Sequence, residues 1–324
     1  MKNTLGTVLK IGVTVAIIAF LLTRVDLAAM GRQLTRANLA LLMLALALYF
    51  LAIFVTALKW HVVARAQNLG ASFSALLTYT LVGLFFGNVL PSNIGGDVVR
   101  GYGLARASGR AEAAAISVLV DRLMGLCAFL GMAVVMEALA ATTLTRGAEL
   151  EQIEIATVIA ATFLIGGSAL LFSRRVGQRV KMIFDRGPLA RVQPIAARIY
   201  HALQVYRTSY RALALNLALS IGIVIITTFV WYAVAVALGA QISIFYFFLF
   251  NPLIAFVLLI PISFNGLGTK EATAVFFFGL VGMSSEVALA MSLIFHLLIV
   301  LTSLPGGVLW WRERALAPTA SNAE

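Results

Sequence analysis

The sequence has few charged residues, one cysteine and none of the common catalytic or metal-binding motifs. Only 11% of its 324 residues are charged and 61% are hydrophobic, whereas soluble domains carry about 25% charged residues. This composition excludes a disordered chain and argues against a soluble enzyme or a nucleic-acid-binding protein. The single cysteine, Cys127, cannot form an internal disulfide. Because CxxC, HExxH, Walker A and GxSxG patterns are absent, the sequence predicts no enzyme of those types, no metal site and no other cofactor.

What the chain does contain is a series of long apolar runs. Its mean hydropathy is +0.99, and a helix that spans a membrane needs about 20 apolar residues. The sequence therefore predicts an all-α polytopic membrane protein with one transporter-like domain over residues 1–315 and a disordered tail over 316–324. The first run follows Lys2 and Lys10, and we interpret it as an uncleaved helix rather than a signal peptide. The runs cover residues 8–23, 39–58, 71–90, 112–142, 153–172, 212–238, 244–261, 272–283 and 285–309.

The distribution of basic residues predicts the orientation of the chain. Segment 174–211 holds nine basic residues against one acidic residue, which indicates a cytoplasmic location. Apolar residues at helical spacing within 189–206 predict an amphipathic helix on the inner membrane surface, or alternatively a helix that docks a partner protein. Arg312 and Arg314 place the C-terminus inside, and the resulting topology has both termini in the cytoplasm. The net charge of +11 then predicts contact with anionic lipid headgroups.

Counting membrane crossings predicts two re-entrant hairpins. Residues 71–108 must begin and end inside, and residues 244–283 must begin and end outside. The first segment contains a polar stretch with three charges, and the second contains a run too short to span. The order span, hairpin, span thus occurs in residues 39–142 and again, with opposite orientation, in residues 212–309. The sequence predicts about six full spans plus two hairpins in an inverted repeat, as in many transporters.

The two predicted hairpin tips have similar sequences. The first is PSNIGGDVVR at 91–100 and the second is PISFNGLGTKE at 261–271. Proline ends a descending helix, glycine permits close backbone approach, and bare amides at a half-helix N-terminus suit an anion. We therefore expect a site for an anionic group near the membrane midplane; the alternative is two ordinary surface loops. The candidate binding residues in the tips are Pro91, Ser92, Asn93, Gly95, Gly96, Pro261, Ser263, Asn265, Gly266 and Gly268.

Charged residues also occur inside the apolar runs, where burying a charge in the membrane costs free energy. Asp121 and Arg122 lie deep in the run 112–142, and a charge near the centre of a span costs about 2.5–3.5 kcal/mol on insertion scales. Adjacent helical residues point about 100° apart and do not readily pair with each other. Asp97 and Arg100 share one helix face, so we expect the pairs Asp97–Arg122 and Arg100–Asp121. These pairs serve either a substrate path or structural attachment between helices.

The second half carries its own candidates. Lys270 and Glu271 open the helix that follows the second tip, and His296 lies in the middle of the last run. The separation from Glu271 to His296 equals that from Asp97 to Arg122, as a repeat would require. A single histidine at such a position is either a hydrogen-bonded packing residue or part of a proton relay.

These residues resemble the transmembrane region of the lysylphosphatidylglycerol synthase/flippase family. The resemblance rests on NVLPSNIGGDVVR (88–100), on the intramembrane Asp121–Arg122 pair and on PISFNGLGTKEA (261–272). It covers nearly the whole chain and adds Asn88 to the candidate binding residues. Only 13 residues follow Trp311, too few for the soluble domain that makes the aminoacylated lipid.

The resemblance implies a lipid flippase or transporter in a bacterial inner membrane. Its substrates would be anionic or aminoacylated phospholipids, or hopanoid or polyprenyl-type lipids, and its partners would be membrane phospholipids rather than nucleic acid. Two alternatives remain open at this point. One is a membrane-embedded enzyme that modifies a lipid headgroup, and the other is a scaffold for a lipid-biosynthesis complex. The chain could also form a homo-oligomer.

Overall fold

The computed structural model describes residues 2–90, 95–143, 158, 162, 202–206, 208–260 and 262–316. Within these residues the secondary structure is helical and contains no strand, in agreement with the predicted all-α class. Leu316 still belongs to the last helix, and residues 317–324 lie outside the described part. The helices are α1 (Lys2–Thr23), α2 (Leu27–Thr35), α3 (Leu39–Ala66), α4 (Phe73–Val89), α5 (Gly95–Ser108), α6 (Ala111–Thr143), α7 (Tyr210–Ala237), α8 (Ile244–Val257), a 3₁₀ turn (Phe264–Gly266), α9 (Thr269–Gly279) and α10 (Ser285–Leu316).

Within the described residues, four helices are long and apolar enough to cross a membrane. They are α3, α6, α7 and α10, and a fifth span results if α1 and α2, which meet at 89°, form one broken span. The described residues therefore do not account for the six predicted spans. The run 153–172 lies outside the described part, apart from positions 158 and 162. The chain is a multi-pass membrane protein, and its described residues contain four or five candidate spans rather than the six predicted.

The remaining apolar helices are too short to span. Helix α4 has 17 residues and α8 has 14, which correspond to lengths of about 26 and 21 Å at 1.5 Å per residue. The hydrocarbon core is about 30 Å thick. Each of these helices is followed by a second short helix, α5 with 14 residues and α9 with 11. The order long, short, short, long thus occurs twice, in α3–α6 and in α7–α10.

Local sequence explains how the second tip turns between α8 and α9. Asn265 adopts a φ of 49° and Gly268 a φ of 86°, a left-handed region that glycine and asparagine tolerate best. Gly268 caps α9, and the Glu271 carboxylate accepts the Gly268 backbone N–H at 2.6 Å. This is the reciprocal half of a capping box, which satisfies an amide that the helix itself leaves unpaired.

The long helices form the centre of the protein. Helix α3 packs along α7, while the short helices α4 and α8 pack against α10 and α6 respectively. An apolar core joins α7, α8, α9 and α10, where the Trp231 and Phe295 rings stack with centroids 4.3 Å apart. This core holds the second tip in place.

Part of the basic segment packs on the protein. Leu203 and Tyr206 are buried with Val63 of α3 and Val120 of α6, and the Tyr206 hydroxyl donates to the Val63 carbonyl at 3.0 Å. The apolar side of residues 202–206 therefore faces other helices. The sequence had predicted that it would face the membrane surface. Residues 174–201, which carry most of the predicted amphipathic helix, lie outside the described part.

Helices α4 and α10 approach each other most closely at a glycine. A Cβ added to Gly306 would overlap the carbonyl group of Leu81 on α4. Small residues allow such backbone proximity, which is a main source of helix association in membranes.

We expect Gly306→Ala to destabilise the protein by about 1–3 kcal/mol, because the two helices must move apart. Gly222→Ala on α7 is the matched control, since a Cβ there meets nothing within 4 Å. The control should be neutral or slightly stabilising because alanine favours the helix. Thermal unfolding in detergent compares the two, and equal stability of both variants would contradict the assigned contact.

Candidate functional site

Asp121 of α6 is the centre of a buried charge cluster. Its carboxylate lies 3.0 Å from Lys59 Nζ of α3 and 3.1 Å from Arg100 Nη1 of α5. Asn216 of α7 donates to the same carboxylate at 3.1 Å and also to the Lys59 carbonyl at 2.8 Å. Asp121 is 1% exposed. A carboxylate with three donors from three helices satisfies the requirement that buried charges be paired and hydrogen-bonded.

A second carboxylate, that of Asp97, lies at the edge of this cluster. It accepts from Arg100 Nε at 2.9 Å and also pairs with Arg122 of α6. Both pairs expected from the sequence, Asp97–Arg122 and Arg100–Asp121, are therefore present. The side chains of Asp97 and Arg122 are 19% and 34% exposed, so this pair is the accessible part of the cluster.

Lys59 and Asn216 are functional candidates that the sequence reasoning missed. Lys59 directly follows the apolar run 39–58, a position where a lysine ordinarily reaches water. Instead α3 continues to Ala66, and Lys59 is only 6% exposed. The available signal was that an aspartate deep in an apolar run needs more than one donor. Sequence alone did not indicate which helix would supply the second donor.

Arg100 is also held by an aromatic ring. Its guanidinium carbon lies 4.8 Å from the centre of the Trp60 ring, a distance typical of a cation–π interaction. The Trp60 indole N–H donates to Ser117 Oγ at 3.1 Å. Arg100 thus contacts two carboxylates and one ring, which fixes its position between α3, α5 and α6.

Among the described residues, the ionisable side chains of this cluster carry a small excess of positive charge. Lys59, Arg100 and Arg122 are basic and Asp97 and Asp121 are acidic, so their formal sum is +1. Charges interact strongly in a medium of low dielectric constant. The two carboxylates therefore hold three basic side chains close together inside the helix bundle.

These side chains line a cavity of about 380 Å³, which we call the polar cavity. Elements of both halves meet there, because Asn265 of the second tip donates to Asn88 Oδ1 of α4 at 2.8 Å. Asn88 in turn donates to Ser303 of α10 at 2.9 Å. The cavity is lined by Thr56, Lys59, Thr80, Gly83, Leu84, Gly87, Asn88, Gly96, Asp97, Arg100, Asp121, Arg122, Gly125, Leu126, Phe129, Asn265 and Ile299.

The candidates of the second half form a separate cluster. Glu271 is fully buried and lies 3.4 Å from Lys270 Nζ, and Ser292 donates to it at 3.2 Å. His296 Nδ1 lies 3.1 Å from Lys270 Nζ, so Lys270 lies between the α9 backbone and His296 of α10. Of these four, none lines the polar cavity. The second cluster therefore attaches α9 to α10 instead of joining the first cluster.

The second tip is also held by α1. Thr14 Oγ1 accepts the Phe264 backbone N–H at 2.8 Å, and Thr269 donates to Ser263 Oγ at 2.8 Å. A Cβ at Gly268 would lie 3.3 Å from the Thr14 carbonyl. Gly268 is thus a structural neighbour of α1, whereas a Cβ at Gly266 would lie 2.8 Å from Leu258 Cδ2. Among the described residues of this tip, only Asn265 lines the polar cavity.

The first tip is described in part. Gly95 opens α5, and Gly96 lines the polar cavity against Gly83 and Gly87 of α4. Pro91, Ser92, Asn93 and Pro261 lie outside the described residues. Among the residues that the structure does describe, no group of three or more His, Cys, Asp or Glu side chains is arranged to hold a metal ion.

Comparison with known proteins gives one consistent result. The family model described as "Lysylphosphatidylglycerol synthase TM region" matches residues 7–306. A UPF0104 membrane protein of Pyrococcus horikoshii is 21% identical, and the match covers 96% of this chain and 98% of that protein. A UPF0104 membrane protein of Methanothermobacter thermautotrophicus is 24% identical, with 92% of each chain covered. No solved structure matches the chain significantly.

Proposed function

Because the chain belongs to the family of lysylphosphatidylglycerol synthase transmembrane regions, we propose that it moves a lipid between the leaflets of a membrane. The substrate is an anionic or aminoacylated phospholipid, or a hopanoid or polyprenyl-type lipid, whose headgroup enters the polar cavity. One observation carries the proposal: five ionisable side chains line a chamber whose walls include α3, α6 and α10, three helices that are apolar enough to cross a membrane. Intramembrane charges of this kind mark substrate pathways in transporters.

The packing pattern supports an inverted repeat. If α3–α6 exchange with α7–α10, the pair α4 and α10 corresponds to the pair α8 and α6, and both pairs are in contact. The pairs α5 with α6 and α3 with α4 likewise correspond to α9 with α10 and α7 with α8, which also pack together. Such pairing is what two related halves produce, while their opposite orientation rests on the predicted membrane crossings. Transporters bind substrates where such halves meet.

The charge arrangement favours a phosphate-bearing headgroup. Arg122 is the most exposed basic residue of the cluster, with 34% of its side chain accessible, and arginine recognises phosphate by paired hydrogen bonds. Asp97 is more accessible than Asp121, so Asp97 is the better partner for the ammonium group of an aminoacylated lipid. Asp121 then serves to hold Lys59 and Arg100 in position.

The cellular setting follows from the charges of the loops. We place the protein in a bacterial inner membrane with both termini in the cytoplasm, because the basic segment 174–211 and the basic C-terminal residues favour the inner side. Alternate opening on the two sides would pass the headgroup through the polar cavity while the hydrocarbon chains stay in the bilayer. Membrane phospholipids are the expected partners.

Leaflet exchange in liposomes tests the proposal. Purified protein is reconstituted with a headgroup-labelled phosphatidylglycerol, and a membrane-impermeant quencher reports the labelled lipid in the outer leaflet over time. We expect exchange faster than in protein-free liposomes of the same composition. Exchange no faster than in protein-free liposomes, for phosphatidylglycerol, its lysyl ester and a polyprenyl phosphate alike, would refute transport. A chemically altered lipid recovered afterwards would instead favour a lipid-modifying enzyme.

A further inference from the structure

A second cavity lies next to the polar cavity, between α5 and α6. Its volume is about 620 Å³, and Asp97, Arg122 and Leu126 line both cavities. We call it the α5–α6 groove. Apart from the two charged residues at its inner end, the groove is lined by apolar side chains, glycine and Tyr102. Its lining residues are Asp97, Val98, Gly101, Tyr102, Ala105, Ala111, Ala115, Val118, Leu119, Arg122, Leu123 and Leu126.

The groove lies on the outer surface of the helix bundle. Val98 and Tyr102 of its α5 wall are 65% and 68% exposed, and Ala115 of its α6 wall is also exposed. Small side chains make room between the walls, since a Cβ at Gly101 would lie 3.4 Å from Val118 Cγ2. In a protein that crosses a membrane, such a surface faces hydrocarbon.

The length of the groove matches one leaflet. The stretch from Ala111 to Arg122 on α6 measures about 16 Å at 1.5 Å per residue. Half of the hydrocarbon core is about 15 Å. A hydrocarbon chain of one leaflet therefore fits along the groove when the polar end of the same molecule lies beside Arg122.

From this continuity we infer that the α5–α6 groove binds one hydrocarbon chain of a lipid whose phosphate-bearing headgroup occupies the polar cavity. The inference deepens the proposed function, on which it rests, by making α5 and α6 the lateral portal for the substrate. Arg122 lies at the junction of the two cavities, between the headgroup in the polar cavity and the hydrocarbon chain in the groove. A second copy of this chain would leave the charged inner end of the groove unexplained.

Filling the groove tests the inference through lipid binding. Ala115→Phe adds bulk to an exposed position on the α6 wall, so it should not disturb the core. Ala138→Phe is the matched control, because Ala138 is an exposed alanine of the same helix outside both cavities. Gly101→Leu fills the groove from the α5 wall. Bound dioleoylphosphatidylglycerol per protein is measured by native mass spectrometry after delipidation and titration.

We expect Ala115→Phe and Gly101→Leu to weaken lipid binding about tenfold, as displacement of one or two methylene groups predicts. The Ala138→Phe variant should bind like the wild type. Glycerol phosphate, which has the headgroup chemistry without chains, should bind equally to all variants. Unchanged lipid binding by both groove variants would overturn the inference, and so would a loss of self-association in these variants without loss of lipid.

Failure of the inference and failure of the proposed function give different results. If the wild type shows no leaflet exchange but Ala115→Phe still loses bound lipid, the groove binds a chain and the transport proposal is wrong. If the wild type exchanges lipid and Ala115→Phe matches it in both exchange and binding, transport stands and the groove has no role in it.

Discussion

Replacing Arg122 with alanine is expected to slow lipid exchange by about one to two orders of magnitude while the protein remains folded. A hydrogen bond to a charged group contributes about 1.5–3 kcal/mol, and each 1.4 kcal/mol corresponds to a factor of ten. Folding should survive because Asp97 keeps its contact with Arg100 at 2.9 Å when Arg122 is removed. Asp97, the carboxylate that pairs with Arg122, is therefore not left unpaired by the substitution.

Two matched variants separate the role of Arg122 from general effects of charge. Arg122→Lys keeps the positive charge without the paired donors and should retain intermediate activity. Arg106→Ala removes an exposed arginine of α5 that lines neither the polar cavity nor the α5–α6 groove. It should exchange lipid like the wild type. Full activity of Arg122→Ala in well-folded protein would exclude Arg122 from the substrate path.

Replacing Asp121 with asparagine is expected to destabilise the protein by about 3–5 kcal/mol, the usual result of removing one partner from a buried ion pair. Asp121 is the only carboxylate within ion-pair distance of Lys59 among the described residues, so its loss leaves a buried ammonium without a counter-charge. Thermal unfolding in detergent, followed by size-exclusion chromatography, should show a much lower midpoint than for the wild type.

A compensating substitution makes this prediction specific. Lys59→Met combined with Asp121→Asn removes both charges of the pair and should recover most of the lost stability, since apolar replacement of a buried pair is often neutral. Arg100 retains Asp97 in that variant. A double variant that is as unstable as Asp121→Asn alone would show that Asp121 stabilises the protein through contacts other than Lys59.

The two predictions together assign different roles to the two carboxylates. Asp121 is 1% exposed and is held by three helices, so its substitution should affect stability first. Asp97 and Arg122 lie at the junction of the polar cavity and the α5–α6 groove, so Arg122 substitutions should affect transport first. These are the two roles that the sequence left open for the intramembrane charges, a substrate path and structural attachment between helices.

The sequence predicted the part of the site that depends on helical spacing. Asp97 and Arg100 lie three residues apart on one helix and share a face. Adjacent Asp121 and Arg122 must point in different directions. Those two facts, with the cost of unpaired charge in a membrane, were enough to predict both observed ion pairs. The two pairs of short helices, α4 with α5 and α8 with α9, could also be anticipated, because proline, glycine and charged residues interrupt the apolar runs there.

Other parts of the site depended on how helices rotate against each other. Lys59 and Asn216 enter the cluster from α3 and α7, and nothing in their local sequence shows which way either side chain faces. The second tip likewise resembles the first in sequence, yet Lys270 and Glu271 turn toward α10 while Asp97 and Arg100 face the polar cavity. Similar segments acquired different neighbours.

The sequence by itself determined that this protein is an α-helical membrane protein of a lipid-associated family. It also showed charged residues inside the apolar runs and next to two tips that contain proline and glycine. It could do so because hydropathy, charge placement and helical periodicity act within one segment of chain. Only the tertiary structure decided that one cluster of charges lines a cavity, that the other attaches α9 to α10, and that an apolar groove adjoins Arg122. Those features arise from the packing of helices distant in sequence, where the direction of each side chain is set by its neighbours.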